Sequence, residues 1–237
     1  PDAPQKASER MEFGDNEPPR EPKADDVDMP DDPVRVYLRE IGATPLLTFQ
    51  DEQQLARRLD SQKHLIALEK EFNDKVIEYP LPWEVTGALL RRLADSALLM
   101  AGLEEHLGLP SNLTLSQIAS CPQLKRQIDA VLSPSLIATL ADTLMEEDPE
   151  VYQQVVNLSM NILMLPPEAI HALENLTLTE LESLLNQPTG YAQLSEMDTE
   201  FRSYFDHIKS EGSQAKSRLI ESNLRLVVSV AKKYLGR

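Results

Sequence analysis

Helix-start signals recur along this chain and constrain its fold more than any other feature. Thr114 and Thr177 each stand three residues before Gln117 or Glu180, which is the spacing of a capping box. No stretch shows sustained alternation of apolar and polar residues bounded by turn residues, the pattern of a half-buried strand. Only 8 of the 237 residues are glycine. The sequence therefore predicts an all-α fold, and we interpret the two similar caps as ordinary helix starts rather than as a repeat.

Further start signals divide the chain into helices, because a small polar residue or a proline is typical of the first helical positions. Predicted helices begin at Asp32-Pro33, Thr48, Trp83, Ser133-Pro134, Asp148-Pro149 and Pro166-Pro167. The helix that starts at Thr48, with Asp51 in a weaker capping box, is predicted to continue to about Tyr79.

Two longer helical patterns lie further along the chain. The pattern from Trp83 predicts one helix that ends near Leu107. After Gly190 the pattern predicts a helix to about Glu211, followed by a separate terminal helix. The terminal helix is expected to begin near residue 214.

Charge is unevenly distributed along the chain, whose formal net charge is −16. Residues 1–33 contain 11 acidic and 4 basic residues, whereas residues 214–237 contain 1 acidic and 6 basic residues. Residues 1–31 are also rich in proline and lack periodicity, so they are predicted to form a disordered acidic tail. The acidic surface would repel nucleic acid at long range, so any contact with DNA must be local or depend on a partner's positive charge.

The sequence offers no constellation of residues that is typical of catalysis or metal binding. Its four histidines are far apart, and Cys121 is the single cysteine. No apolar run approaches the ~20 residues of a membrane span, and no signal peptide precedes the acidic start. We therefore predict a cytoplasmic protein that is not an enzyme and uses no cofactor or metal.

The terminal segment combines an apolar face with a basic one. The apolar face, which is predicted to be buried, contains Ile220, Leu224, Val227, Val228, Ala231 and Leu235. Arg218, Arg225 and Lys232 recur every seven residues on another face, bordered by Asn223 and Leu226. From the pattern alone, this basic face could be simply solvated, or it could hold a phosphate and an unstacked base.

Two segments resemble a known family. Residues 32–58, which begin Asp-Pro-Val-Arg-Val-Tyr-Leu-Arg-Glu-Ile-Gly, resemble region 1.2 of bacterial primary sigma factors of the sigma-70 family. Residues 218–234 resemble the start of region 2 of the same proteins. The resemblance implies a layout of region 1.2 at 32–60, a variable helical insert at 61–213 and the start of region 2 at 214–237. The remainder of the promoter-reading domains would lie beyond Arg237, so the chain is expected to be an N-terminal fragment.

The resemblance also implies function and site residues. Sigma factors bind core RNA polymerase, recognise promoter DNA and hold the non-template strand as the DNA melts. Region 1.2 contacts the discriminator, and the start of region 2 helps to form a pocket for a flipped base of the minus-ten element. The implied DNA-binding positions are Arg35, Tyr37, Leu38, Glu52, Asn223, Arg225 and Leu226. An alternative function is an acidic helical protein-interaction module that regulates RNA polymerase.

Overall fold

Helices account for all the regular secondary structure of the described residues. The computed structural model describes residues 45–73 and 79–232, which lie in one compact unit of the chain. These ranges contain no strand, which confirms the predicted all-α fold. The predicted tail at 1–31 and the helix start at Asp32-Pro33 lie outside the described residues. The helices are α1 (Phe49–Asn73), α2 (Pro82–Asp95), α3 (Ala97–Leu107), α4 (Leu115–Ser120), α5 (Pro122–Ile128), α6 (Pro134–Leu144), α7 (Asp148–Met164), α8 (Pro167–Ala172), α9 (Leu178–Leu185), α10 (Pro188–Ser195) and α11 (Asp198–Lys232).

The predicted cap at Thr48 is confirmed at the start of α1. The backbone N–H of Asp51 donates to Thr48 Oγ1 over 3.2 Å, and the backbone N–H of Thr48 donates to Asp51 Oδ2 over 2.9 Å. The far end of the helix was predicted less well, because α1 ends at Asn73 and Tyr79 is not helical. Residues 74–78 lie outside the described residues.

One predicted cap is displaced by a residue. Helix α7 begins at Asp148 itself, and Glu147 occupies the N-cap position without a side-chain hydrogen bond. Proline lacks an N–H and is tolerated throughout the first helical turn, where those donors have no intrahelical acceptor. Pro149 therefore marks the first turn of α7 but does not fix the residue at which the helix begins.

The two similar capping boxes lie side by side in the fold. Thr114 and Thr177 form an isolated antiparallel bridge, and the N–H of Leu115 donates to the carbonyl of Leu176 over 2.8 Å. The N–H of Ser116 donates to the carbonyl of Glu174 over 3.3 Å. Two carbonyls in the segment that precedes α9 thus accept from N–H groups in the first turn of α4, which a helix start leaves without intrahelical partners. Both caps were predicted, but their pairing was not.

The single helix predicted from Trp83 to Leu107 is wrong, because the structure divides it at Ser96 into α2 and α3. The hydroxyl of Ser96 donates to the carbonyl of Arg92 over 2.8 Å, and its N–H donates to the carbonyl of Leu93 over 3.1 Å. The same bond to the preceding turn occurs inside unbroken helices at Ser61 and Ser213, so it does not cause the break by itself. The break redirects the chain, and α3 packs against α6.

The predicted division of the last fifty residues is also wrong. The chain breaks at residues 196–197, between α10 and α11, and then forms one uninterrupted helix of 35 residues. No break separates Glu211 from the basic terminal segment. Gly212 lies inside α11 at a close contact with α1, so a residue that often ends helices here permits two helices to pack.

One hydrophobic core joins these helices. It contains Leu65 and Leu68 of α1, Leu89 of α2, Leu158 of α7 and Phe201 of α11, all at 1% exposure or less. The first half of α11 is therefore anchored in the core, and its second half carries the basic segment away from it. None of the helices in the described ranges is long and apolar enough to cross a membrane.

Candidate nucleic-acid interface

Helices α1 and α11 pack against each other in antiparallel directions. Lys209 Nζ lies 2.7 Å from Glu69 Oε1 near the end of α1, and Arg58 Nη1 lies 3.7 Å from Glu211 Oε1 further towards its start. Residue numbers thus fall along α1 as they rise along α11. The first turn of α1 therefore lies beside the basic segment of α11.

We call the contact surface between α1 and α11 the seam. At its centre, Gln62 and Gly212 approach each other closely. Gln62 Nε2 donates to the carbonyl of Lys209 and to Ser213 Oγ, both over 2.8 Å. A Cβ atom added at Gly212 would lie only 2.3 Å from the Cβ of Gln62. Glycine is required here because no side chain fits between the two helices. The hydrogen bonds of the Gln62 amide then fix the position of α11 along the axis of α1.

The start of α1 meets the basic segment through Asp51 and Arg218. The Thr48 hydroxyl and backbone N–H, which both donate to the Asp51 carboxylate, lower the pKa of that group, and the positive charge of Arg218 lowers it further. The capping carboxylate therefore stabilises its own helix and attracts Arg218 of the other helix. One ionised group links the helix start to the basic face.

Two adjoining concavities open at this end of the seam, with volumes of about 270 Å³ and 550 Å³. Both are lined by Leu55, Arg58 and Arg218. The first also contacts Leu46 and the second contacts Glu221. Two guanidinium groups beside an apolar side chain can contact a phosphate while leaving room for a base, although the carboxylates of Asp51 and Glu221 line the same concavities.

Residues 32–61 match the family model for sigma-70 factor, region 1.2. The match supports a sigma-70 family factor. No solved structure matches the chain. The matched region 1.2 segment includes the first half of α1, with the Thr48 cap, Asp51 and Arg58, and it therefore contributes one side of both concavities.

The structure describes four of the seven implied DNA-binding residues. Glu52 is exposed in the first turn of α1, within the region 1.2 segment. On α11, Asn223 is exposed, Arg225 is half-buried and Leu226 is 55% exposed. These three lie close together on one helix, one to two turns beyond Arg218. The predicted residues Arg35, Tyr37 and Leu38 lie outside the described residues.

Arg58 was not predicted as a site residue, although it lines both concavities. It belongs to the region 1.2 segment and pairs with Glu211 across the seam, with its side chain 51% exposed. The signal in the sequence is the pair Arg57-Arg58 in an otherwise mixed helix face. This arginine pair indicates a site only once α11 is known to pack against α1.

The buried face of the terminal segment differs from the predicted one. Ile220 and Val227, which were predicted to be buried, are 55% and 62% exposed, and only Val228 of the described members of that face is buried. The stripe that is buried runs through Ile208, Gly212, Ala215, Ser222 and Val228. Three of these residues are small, because close helix packing selects small side chains at the contact. The buried face of the terminal segment was predicted from its large apolar side chains, and that prediction is wrong.

The lowered pKa of Asp51 predicts a specific pH dependence. Its capping contribution is fully present above the ordinary pKa of about 3.8 and is lost as the pH falls through the lower pKa of the folded state. Asp51→Asn should lower the melting temperature at pH 6. The difference between variant and parent should shrink when melting is repeated at about pH 3.

A second acidic residue controls for general charge effects in this experiment. Asp142, exposed on α6, does not cap a helix start. Asp142→Asn should leave the melting temperature nearly unchanged at both pH values. A difference for Asp51→Asn that stays constant between pH 6 and pH 3 would contradict a role for the ionised carboxylate.

Proposed function

We propose that this protein acts in transcription initiation as a non-enzymatic sigma factor of the primary type, bound to core RNA polymerase in the cytoplasm. In this proposal, residues 32–60 are region 1.2, residues 61–213 are a variable insert and residues 214–237 are the start of region 2. The observation that carries the proposal is the antiparallel packing of α1 on α11. It joins a segment that matches region 1.2 to the basic terminal segment.

The proposed ligand is the non-template strand of melted promoter DNA. Arg58 and Arg218 neutralise phosphates at the shared wall of the two concavities. Asn223 and Arg225 hydrogen-bond an unstacked base, and Leu226 packs against its face. Glu52 contributes from the region 1.2 side. Arg35, Tyr37 and Leu38 contact the adjoining discriminator in this proposal.

The charge of the chain favours single-stranded over duplex DNA. A net charge of −16 opposes the approach of a duplex, whose affinity depends on many phosphate contacts. A melted strand presents bases that small polar and apolar pockets can bind. Core polymerase, in this mechanism, supplies most of the positive charge that holds the DNA backbone.

The test is a titration of the 237-residue chain, bound to core RNA polymerase, with a fluorescent single-stranded oligonucleotide. The oligonucleotide carries a minus-ten element and discriminator in the non-template sequence. Leu226→Ala should weaken its binding by about fivefold, because stacking against one base contributes roughly 1 kcal/mol or more. Arg225→Ala should weaken it by a similar factor through a lost charge-assisted hydrogen bond.

Matched variants on α11 separate the site from the helix as a whole. Ile220 is 55% exposed, like Leu226, and Lys216 is an exposed cation, so Ile220→Ala and Lys216→Ala should change the affinity less than twofold. The proposal fails if these controls weaken binding as much as the site variants do. It also fails if an oligonucleotide with a scrambled minus-ten element binds equally tightly.

A further inference from the structure

An aromatic groove of about 580 Å³ opens beside α2, away from the candidate interface. It lies between the last turn of α1, one face of α2 and the start of α10. Phe72, at the α1 edge of the groove, lies roughly 20 Å along that helix from Arg58. None of the residues assigned to DNA lines it. Besides Phe72, the described lining residues are Trp83, Glu84, Ala88, Arg91, Pro188 and Tyr191.

The groove gathers aromatic side chains in a chain that has few of them. The 237 residues include one tryptophan, six tyrosines and five phenylalanines, and three of these residues line the groove. Trp83 and Tyr191 meet edge to face, with ring centroids 6.0 Å apart and an angle of 67° between the ring planes. Both residues and Phe72 are half-buried, so part of this aromatic surface remains accessible to a ligand.

Close packing and hydrogen bonds hold the rings in place. A Cβ atom added at Gly87 would lie 3.0 Å from Tyr191 Cε1, so that ring lies directly against the backbone of α2. Arg91 Nη2 donates to Tyr191 Oη over 3.1 Å, which fixes the far edge of the same ring. The backbone N–H of Trp83 donates to Asp198 Oδ1 over 3.1 Å. The groove is therefore formed before a ligand arrives, which lowers the entropic cost of binding.

The indole N–H of Trp83 indicates the backbone conformation of the ligand. It donates to no described residue, and it is not sealed from solvent, so it can donate to a ligand. A polyproline II segment has no internal hydrogen bonds, and all its carbonyls can accept. A helix uses most of its carbonyls internally, and a strand pairs with a sheet edge, which the described residues lack. An extended, proline-rich segment therefore suits the groove best.

Charge at the groove favours a basic ligand. Glu84 accepts from the backbone N–H of Leu81 over 2.7 Å, and no cation of a described residue forms an ion pair with it. Arg91 donates to neutral groups of α9 and α10, while the carboxylates of Asp95 and Glu182 act on its charge at longer range. Glu84 is thus left for a cation of the ligand, and the net charge of −16 attracts the same kind of ligand.

We propose that this groove binds a basic, proline-rich segment of a partner protein in the polyproline II conformation. Proline rings of the segment pack against Trp83 and Tyr191, because aromatic-lined grooves suit such segments. One carbonyl accepts from the Trp83 indole, and an arginine beside the prolines pairs with Glu84. A nucleic acid that stacked on the same rings would bring phosphates towards Glu84 and an acidic surface. This inference does not depend on the proposed DNA contacts.

Trp83 reports on its own site because it is the single tryptophan of the chain. The probe is a peptide of six consecutive prolines with two arginines at each end, titrated against the 237-residue chain while the tryptophan emission is recorded. The emission should change saturably and shift to shorter wavelength as proline rings cover the indole. A peptide of the same charge with alanine in place of proline should bind at least roughly tenfold more weakly, because it is not held in the polyproline II conformation.

Ala88→Gln places a longer side chain in the groove and should weaken binding of the proline peptide at least roughly tenfold. Glutamine is a good helix former, and Ala88 is only half-buried, so the variant should fold. Ala97→Gln is the matched control, because Ala97 is also helical and half-buried but lies outside the groove. It should change the peptide affinity less than about twofold. Circular dichroism checks that each variant folds like the parent.

Glu84→Gln tests the charge without removing the helix cap, because glutamine can also accept from the N–H of Leu81. It should weaken binding about threefold, whereas Glu105→Gln, at an exposed position on α3, should leave the affinity nearly unchanged. Equal affinity for the proline and alanine peptides would overturn the proposal, as would equal losses in the Ala88 and Ala97 variants or in the Glu84 and Glu105 variants. An equal, saturable response of Trp83 to single-stranded oligodeoxythymidine would also overturn it, since the groove would then be a base-stacking site.

Discussion

Replacing Gly212 with alanine should lower the free energy of unfolding by about 2 kcal/mol, although alanine favours helix more than glycine does. The added Cβ would lie 2.3 Å from the Cβ of Gln62, an atom that moves only with its backbone. Overpacking of this kind costs about 1–3 kcal/mol. The two hydrogen bonds of the Gln62 amide would weaken as well. Urea unfolding followed by circular dichroism measures the change.

Gly102→Ala is the matched control for that variant. Gly102 also lies inside a helix, α3, but the nearest atom to an added Cβ is Leu140 Cδ2 at 3.0 Å, the end of a flexible side chain. The gain in helix propensity is the same, about 1 kcal/mol, and a small shift of Leu140 relieves the contact. Gly102→Ala should therefore be neutral or slightly stabilising. Equal effects of the two variants would argue against a close approach at Gly212.

Gly212→Ala should also affect the candidate interface, because the Gln62–Gly212 contact sets the position of α11 on α1. If α11 moves away, Arg218 separates from Asp51 and from Arg58. Binding of the single-stranded oligonucleotide should weaken by at least roughly threefold at temperatures where the variant is still folded. Full affinity in a destabilised variant would show that the DNA contacts do not depend on this seam.

Replacing Glu104 with alanine should lower the free energy of unfolding by about 3 kcal/mol. Glu104 is 6% exposed, and its carboxylate accepts hydrogen bonds from the backbone N–H groups of Asn112 and Leu113, each over 3.0 Å. Its loss leaves two donors without an acceptor, at about 1–3 kcal/mol for each buried group. These bonds also hold Asn112 at a φ of 59°. Urea unfolding again provides the measurement.

The neighbouring glutamate gives the comparison for this second variant. Glu105 is exposed on the same turn of α3, so Glu105→Ala should change the free energy of unfolding by less than about 0.5 kcal/mol. If both alanine variants destabilise the protein equally, helix charge rather than the loop contact would explain the loss. Glu104→Ala alone should also disorder the loop after α3, and faster amide hydrogen exchange in that loop would measure this change.

The sequence predicted best those features that depend on neighbours in the chain. The caps at Thr48, Thr114 and Thr177 are confirmed because a capping box is completed within four residues. The break at Ser96 was missed because serine is compatible with both a helix interior and a helix end. There, the outcome depends on how α3 packs against α6.

Features that depend on distant parts of the chain were predicted poorly. Gly212 looks like a helix breaker in the sequence, and only its contact with Gln62, 150 positions earlier, explains it inside a helix. The same contact selects small residues such as Ala215 and Ser222 for the buried stripe of α11. The candidate site residues on α11 were chosen by resemblance, while Arg58 required knowledge of the helix pairing.

Because α11 is uninterrupted, an insertion within it changes the orientation of the basic segment in a predictable way. This helix of 35 residues spans about 52 Å and connects the anchor at Phe201 to the basic segment. Inserting one residue between Phe201 and Arg218 would turn everything beyond it by about 100° and move Asn223 and Leu226 to another side of the molecule. Insertions of seven residues, close to two full turns, would restore the orientation but shift it by about 10 Å. The stretch from 201 to 218 therefore cannot change by one residue without reorienting the basic segment.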